Sequence, residues 1–152
     1  MQKSNRLLQV ASALLMMLIV AAASTYAWYS IFRPCKVETV QKVSTRLVTQ
    51  LKLYDEAYQF ATSASPTRLV RPVNTLQQIL MDTQELTVPA CMQTAKSELV
   101  NYMGTVIRAF LAYGAGETNA TVRDLIDQSN VYYGNFNTEL DAVNECAPFC
   151  FP

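Results

Sequence analysis

The feature that most limits what this chain can become is the stretch from Leu7 to Phe32, 26 residues without a charge, a proline or a glycine. As a helix it rises roughly 39 Å at about 1.5 Å per residue, more than the roughly 30 Å of a hydrocarbon core. It therefore predicts a single transmembrane helix with length to spare for tilt. Residues 1–32 are expected to form a cytoplasmic tail and membrane anchor, or else a signal sequence, and 33–152 an extracytoplasmic helical domain. Lys3 and Arg6 precede the span and Arg33 and Lys36 follow it. Side-chain charge alone does not orient it, so the orientation rests on the short tail and on the cysteines, which suit an oxidising compartment. Tyr26, Trp28, Tyr29 and Phe32 close the span as an aromatic patch suited to the membrane interface. The competing reading is cleavage after an apolar region, with Ala21 and Ala23, or Thr25 and Ala27, as the small residues of the processing site. No cysteine is placed for lipid attachment.

Removing 1–32 leaves 120 of the 152 residues, enough for one domain with its own core. That part holds ten basic and twelve acidic side chains and no histidine. It lacks the lysine and arginine blocks that would neutralise several phosphates, so no nucleic acid is expected as a partner.

Arg33 and Pro34 end the span, and Cys35 follows. From Lys36 to about Ala64, Val40, Val43, Leu47, Leu51, Tyr54, Tyr58 and Ala61 recur at helical spacing. Ser65 and Pro66 open a short turn, and Pro72 is expected to open a second helix to about Leu86, with Val73, Leu76, Leu80 and Thr83 inward and Ile79 beside them. After Thr87 to Pro89, a third helix from about Ala90 turns Ala95, Leu99, Tyr102, Met103, Val106, Phe110 and Tyr113 inward and stops at Gly114 to Gly116. Thr118 or Asn119 caps a fourth, whose inner face is Val122, Leu125, Ser129, Tyr132, Phe136, Leu140 and Val143. The fold class is all-α: one N-terminal transmembrane helix, then an antiparallel up-and-down four-helix bundle with disulfides. The alternative is three long helices with 66–86 draped across them.

Ser65-Pro66-Thr67-Arg68, Leu76-Gln77, Val88-Pro89-Ala90-Cys91, Ala95, Leu99, Tyr102-Met103, Phe110-Leu111-Ala112 and Ala120-Thr121-Val122 form a pattern covering roughly 47–140. In it the chain resembles a group of small, uncharacterised exported bacterial helical proteins. The pattern is one of packing and capping, so the resemblance implies a helical fold and no activity. The long apolar N-terminal segment and the cysteines near the C-terminus depart from it.

The four cysteines are Cys35, Cys91, Cys146 and Cys150. In an up-and-down bundle all four fall at the end where the first helix begins. The resemblance implies a bridge from Cys35 to Cys91, which leaves Cys146 with Cys150; Cys91 with Cys146 and Cys35 with Cys150 remains open from the residues themselves. Zinc at Cys146 and Cys150 is disfavoured, because no second cysteine pair or histidine completes a site. Without histidine, haem ligation, Glu-x-x-His di-iron sites and Cys-His or Ser-His nucleophiles are excluded in their usual forms, so no cofactor and no enzymatic activity is expected. Asp55, Glu56, Asp82, Glu85, Asp124 and Asp127 read as solvated carboxylates; Tyr54, Tyr58, Tyr102, Tyr113, Tyr132 and Tyr133 could line a ligand groove, but their place on the apolar stripes favours bundle core and rim. Asn119-Ala120-Thr121 fits a glycosylation sequon but is better explained by capping.

The functional expectation is a non-enzymatic, membrane-anchored extracytoplasmic interaction or structural protein, an accessory subunit of a membrane-associated assembly, with membrane lipid and a protein in the membrane or periplasmic or extracellular space as partners. The alternative is a cleaved, secreted helical module that binds a small apolar ligand or a protein partner.

Overall fold

A computed structural model describes Met17 and residues 37–146. The apolar span, its aromatic patch of Tyr26, Trp28, Tyr29 and Phe32, and Cys35 and Cys150 lie outside the described residues. Among the described residues no helix is long and apolar enough to cross a membrane.

Four helices account for almost all of 37–146: α1 (Val37–Thr62), α2 (Val70–Glu85), α3 (Gln93–Gly114) and α4 (Asn119–Cys146). In α1 the buried residues Val40, Val43, Leu47, Leu51, Tyr54, Ala57 and Ala61 recur at three and four, giving one apolar stripe, with Tyr58, expected on it, half-buried beside Ala57. Glu38 in its first turn complements the helix dipole. A single 3-10 turn at Pro66–Arg68 leads into α2.

Pro72 does not open α2 as the sequence suggests; it is the third residue of a helix that starts at Val70. The first N–H groups of a helix have no partner within it, so a proline there forfeits no hydrogen bond, and the ladder begins immediately afterwards with Val73 N donating to Leu69 O at 2.9 Å. At its other end α2 is capped from outside. Lys96 Nζ of α3 donates to the carbonyl oxygens of Gln84 at 2.6 Å and Leu86 at 2.7 Å, placing a cation where the dipole and the orphan acceptors favour it.

A second 3-10 turn, Ala90–Met92, precedes α3. That helix ends at a glycine for a physical reason. Gly116 has φ of +76°, its N–H donates to Tyr113 O at 3.1 Å, and Glu117 N reaches back to Ala112 O at 3.0 Å. This is the double-bonded C-terminal cap that needs a left-handed residue. Thr118, not Asn119, caps α4: its Oγ1 accepts from Thr121 N at 3.3 Å.

Side-chain pairs fix the directions. Tyr54 meets Tyr102 and Tyr58 meets Phe110, so α1 and α3 run the same way. Glu98 pairs with Asn135 and Tyr102 with Tyr133, so α4 runs against α3. Lys96 at the end of α2, and Leu69 against Gly114, make α2 antiparallel to α3 as well. The up-and-down arrangement follows. We call the end where α1 and α3 begin the near end, and the other the far end.

The core runs through all four helices, with Leu47, Leu76, Met92, Ala95, Leu99 and Met103 wholly buried. The α3–α4 interface is the most extensive, and α3 also packs on α1 and α2. Thr105, Ile107 and Ala109 are therefore buried in addition to the single stripe that periodicity suggests. On α4 the expected face is only partly inside. Ser129, Phe136, Leu140 and Val143 are buried, whereas Val122, Leu125 and Tyr132 are half-buried and stay out of the core cluster.

Candidate functional site

Where the first half of α4 fails to close on α1, a cleft of about 240 Å³ opens between α1, α3 and α4. Its walls are Asp55 and Tyr58 from α1, Tyr102 and Val106 from α3, and Ile126, Ser129, Asn130 and Tyr133 from α4. Asp55, Tyr58, Tyr102 and Ile126 are half-buried and Tyr133 is exposed, as befits the edges of the apolar stripes, where a ring can lie against the core and still meet water, while Val106 and Ser129 are buried.

The tyrosines form a connected set. Tyr54 is wholly buried beneath the cleft, and its hydroxyl donates to the Met103 carbonyl oxygen at 2.7 Å, tying α1 to α3. Its ring meets Tyr102 edge-on, centroids 5.8 Å apart. Tyr102 in turn meets Tyr133 at 5.4 Å with the planes tilted 52°. Tyr58 packs on Phe110 at 5.6 Å, which extends the aromatic wall toward the far end. Rings at such separations and tilts set positive edge against negative face.

Asp55 is not the freely solvated carboxylate that the sequence suggests. It is half-buried in the cleft, and burial pushes its pKa up while hydrogen bonding from the Tyr102 hydroxyl works against that rise. Burial likewise pushes the Tyr54 and Tyr102 phenols well above the ordinary tyrosine value, and the Asp55 charge adds to both shifts. No lysine or arginine lines the cleft.

A second feature lies at the far end. Phe60 is 73% exposed and Val70 71%, the highest among the large hydrophobic side chains described in the bundle, and Leu111 and Tyr113 are 51% and 46% exposed. Between them run shallow grooves. One of about 400 Å³ lies between α1 and α2 against Ala57, Phe60 and Pro72, and one of about 260 Å³ lies between α2 and α3 against Leu69, Val70 and Leu111. The tyrosine cleft continues toward this end through a cavity that shares Tyr58 and Ile126 with it and adds Tyr113 and Val122.

At the near end Ser44 Oγ of α1 donates to Asn144 Oδ1 of α4 at 3.2 Å. Cys91 sits in the turn before α3, packed on the core, and is not a free thiol. That turn also touches α4, whose last residue is Cys146. Of the four cysteines, the structure thus brings the backbone positions of Cys91 and Cys146 to one end. Among the described residues no group of cysteine, aspartate and glutamate is arranged to hold a metal ion.

The cleft is not legible in the sequence. Tyr54, Tyr58 and Tyr102 stand there as stripe and rim positions on the first and third helices and Asp55 as a solvated carboxylate, and nothing in their spacing says that a cavity opens between α1, α3 and α4. No protein-family model, curated protein or solved structure matches the chain.

Proposed function

We propose that this protein is a membrane-anchored interaction subunit whose helical bundle stands outside the cytoplasm and docks a protein partner of a membrane-associated assembly through its far end. The observation that carries the docking reading is the collection of Phe60, Val70, Leu111 and Tyr113 around the same end, each side chain left about half-exposed or more. Water-exposed apolar groups gathered over adjoining grooves favour association with a matching surface. The anchor is Leu7 to Phe32, with Tyr26, Trp28, Tyr29 and Phe32 at headgroup level. Cys35 bridges Cys91, and Cys146 bridges Cys150, stapling the end where the chain enters α1. The near end then holds the fold and the far end is left for the partner. The chain has no enzymatic role in this reading.

Purification of the full chain in mild detergent, with identification of the chains that accompany it, tests the proposal when done beside a Phe60→Asp, Val70→Glu double variant. Loss of one defined companion in the variant, with the melting midpoint unchanged, is expected. A companion retained in full, or a mature amino terminus beginning after Ala23 or Ala27, overturns the docking site or the anchor respectively. Peptide mapping without reduction checks the bridges; a fragment joining Cys91 to Cys146 rejects the pairing of Cys35 with Cys91 and of Cys146 with Cys150.

A further inference from the structure

The tyrosine cleft has a composition that solvent exposure and core packing do not by themselves account for. Three tyrosine rings, Tyr58, Tyr102 and Tyr133, and one carboxylate, Asp55, border a single cavity of about 240 Å³. The negative faces of aromatic rings and a carboxylate attract the same kind of guest, a positive charge spread over an apolar surface. Nothing in the wall competes for that role, since no cationic side chain lines the cavity. The remaining lining suits such a guest. Val106 and Ile126 offer apolar contact, Asn130 offers a side-chain amide, and Ser129 is satisfied within its own helix by the Ile126 carbonyl oxygen at 2.7 Å.

We propose that the cleft between α1, α3 and α4 is a binding site for a small organic ammonium ion, held by the Tyr58, Tyr102 and Tyr133 rings and by the Asp55 carboxylate. A compact alkylammonium group fits a cavity of this size, whereas the common pockets for drug-sized molecules begin at about 300 Å³. A bare metal ion does not suit it: hard cations take several oxygen ligands at short range, and here one carboxylate stands among rings. The rings and aliphatic groups suit a methylated ammonium, whose charge is spread over an apolar surface and which brings no N–H donors that must be satisfied. The cavity shares no lining residue with the far-end grooves at Phe60 and Val70, so the two readings are tested by different variants.

Tyr54 supports the arrangement from below. Wholly buried and bonded to the Met103 carbonyl, it fixes the ring of Tyr102 by edge-on contact, so that wall is set before a ligand arrives. Tyr133, 39% exposed, is the ring at the mouth.

The test is titration of the full chain in a non-ionic detergent, followed by calorimetry, with choline, tetramethylammonium and the uncharged choline isostere 3,3-dimethylbutanol. Saturable binding of both cations is expected, with the isostere weaker by about tenfold, the size of a desolvated cation–π and charge contribution. Asp55→Asn keeps an acceptor for the Tyr102 hydroxyl but removes the charge, and Tyr133→Leu keeps apolar bulk but removes the ring; each should weaken choline binding by about tenfold at an unchanged melting midpoint. Because Tyr133 is exposed, that variant still decides the matter if Asp55→Asn fails to fold. Repeating the choline titration in phosphatidylglycerol nanodiscs, with and without phosphatidylcholine, separates the sources. Choline heat that persists assigns a dissolved amine, and heat abolished by phosphatidylcholine assigns a lipid headgroup. Absence of saturable binding, equal binding of choline and its isostere, or choline binding undiminished in Tyr133→Leu overturns the proposal.

Discussion

The two halves of α4 carry the same kind of residue at the same spacing and reach different depths. In the second half Phe136, Leu140 and Val143 are sealed in the core, and Asn144 is bonded across to Ser44 of α1. In the first half Val122, Leu125 and Ile126 are half-exposed, and a cleft and a further cavity separate them from α1. The residues opposite make the difference. At the near end α1 presents Val40, Val43 and Leu47, aliphatic side chains buried in the core. Beyond them α1 presents Asp55 and Tyr58, and α3 presents Tyr102, which are bulky or carry groups that cannot be sealed from water without partners. Periodicity tells which residues face inward, and the partner helix decides how far in they go.

That comparison is most easily broken at its closed half. Phe136→Ala should cost about 3–5 kcal/mol, as a large truncation in a packed site, whereas Leu125→Ala should cost about 1 kcal/mol because water already reaches it. Urea unfolding of the two variants measures the gap; equal losses would mean that the two halves are packed alike.

Tyr54 lies between the halves and sharpens the contrast in two ways. Tyr54→Phe removes a buried hydroxyl from its carbonyl partner and should cost about 1–1.5 kcal/mol. It should also flatten the alkaline limb of the stability profile. Burial raises the folded-state pKa of Tyr54 and Tyr102 above the ordinary value of 10.0, so the folded state holds these protons more tightly than the unfolded one. Their contribution is fully present below about pH 10 and is lost as pH rises beyond it. A parallel alkaline slope in wild type and variant, followed by thermal melting from pH 8 to 11, would contradict the assignment for Tyr54.

The glycines give opposite signs according to backbone, not location. Gly116→Ala forces a side chain onto φ of +76° and should cost about 1 kcal/mol, while Gly134→Ala, inside α4 with nothing within 4 Å of the added carbon, should gain about 0.5–1 kcal/mol. A melting midpoint unchanged or raised in Gly116→Ala would reject the C-terminal cap of α3, and one lowered in Gly134→Ala would reject the open setting of that glycine. Smallest of all, Phe60→Ser at the far end should change stability by no more than about 0.5 kcal/mol, since that ring is mostly in water. A larger loss would show that Phe60 supports the fold and is not held available for a partner.

Much of this architecture is readable in the residues alone. The stripes of α1 and α3, a stop within Gly114 to Gly116 and a cap at Thr118 or Asn119 are local, resting on a spacing of three and four, a glycine for a left-handed backbone and a side-chain oxygen beside the first N–H groups; the hydrogen bond from Thr121 N singles out Thr118, and Tyr113, expected inward on α3, is 46% exposed. Such features depend on neighbours in sequence, so sequence determines them. The start of α2 falls two residues before the proline that the sequence marks, because a proline is tolerated anywhere in the first turn, and only the hydrogen-bond ladder from Leu69 shows which place it takes. The cap that Lys96 places on α2, the burial of Asp55, the Tyr54 bond to Met103 and the standing-off of α4 were decided by tertiary structure alone. Each joins residues more than nine positions apart on different helices, and the distance between two helices is set by the bulk and polarity of both surfaces together, which neither stretch of sequence carries by itself.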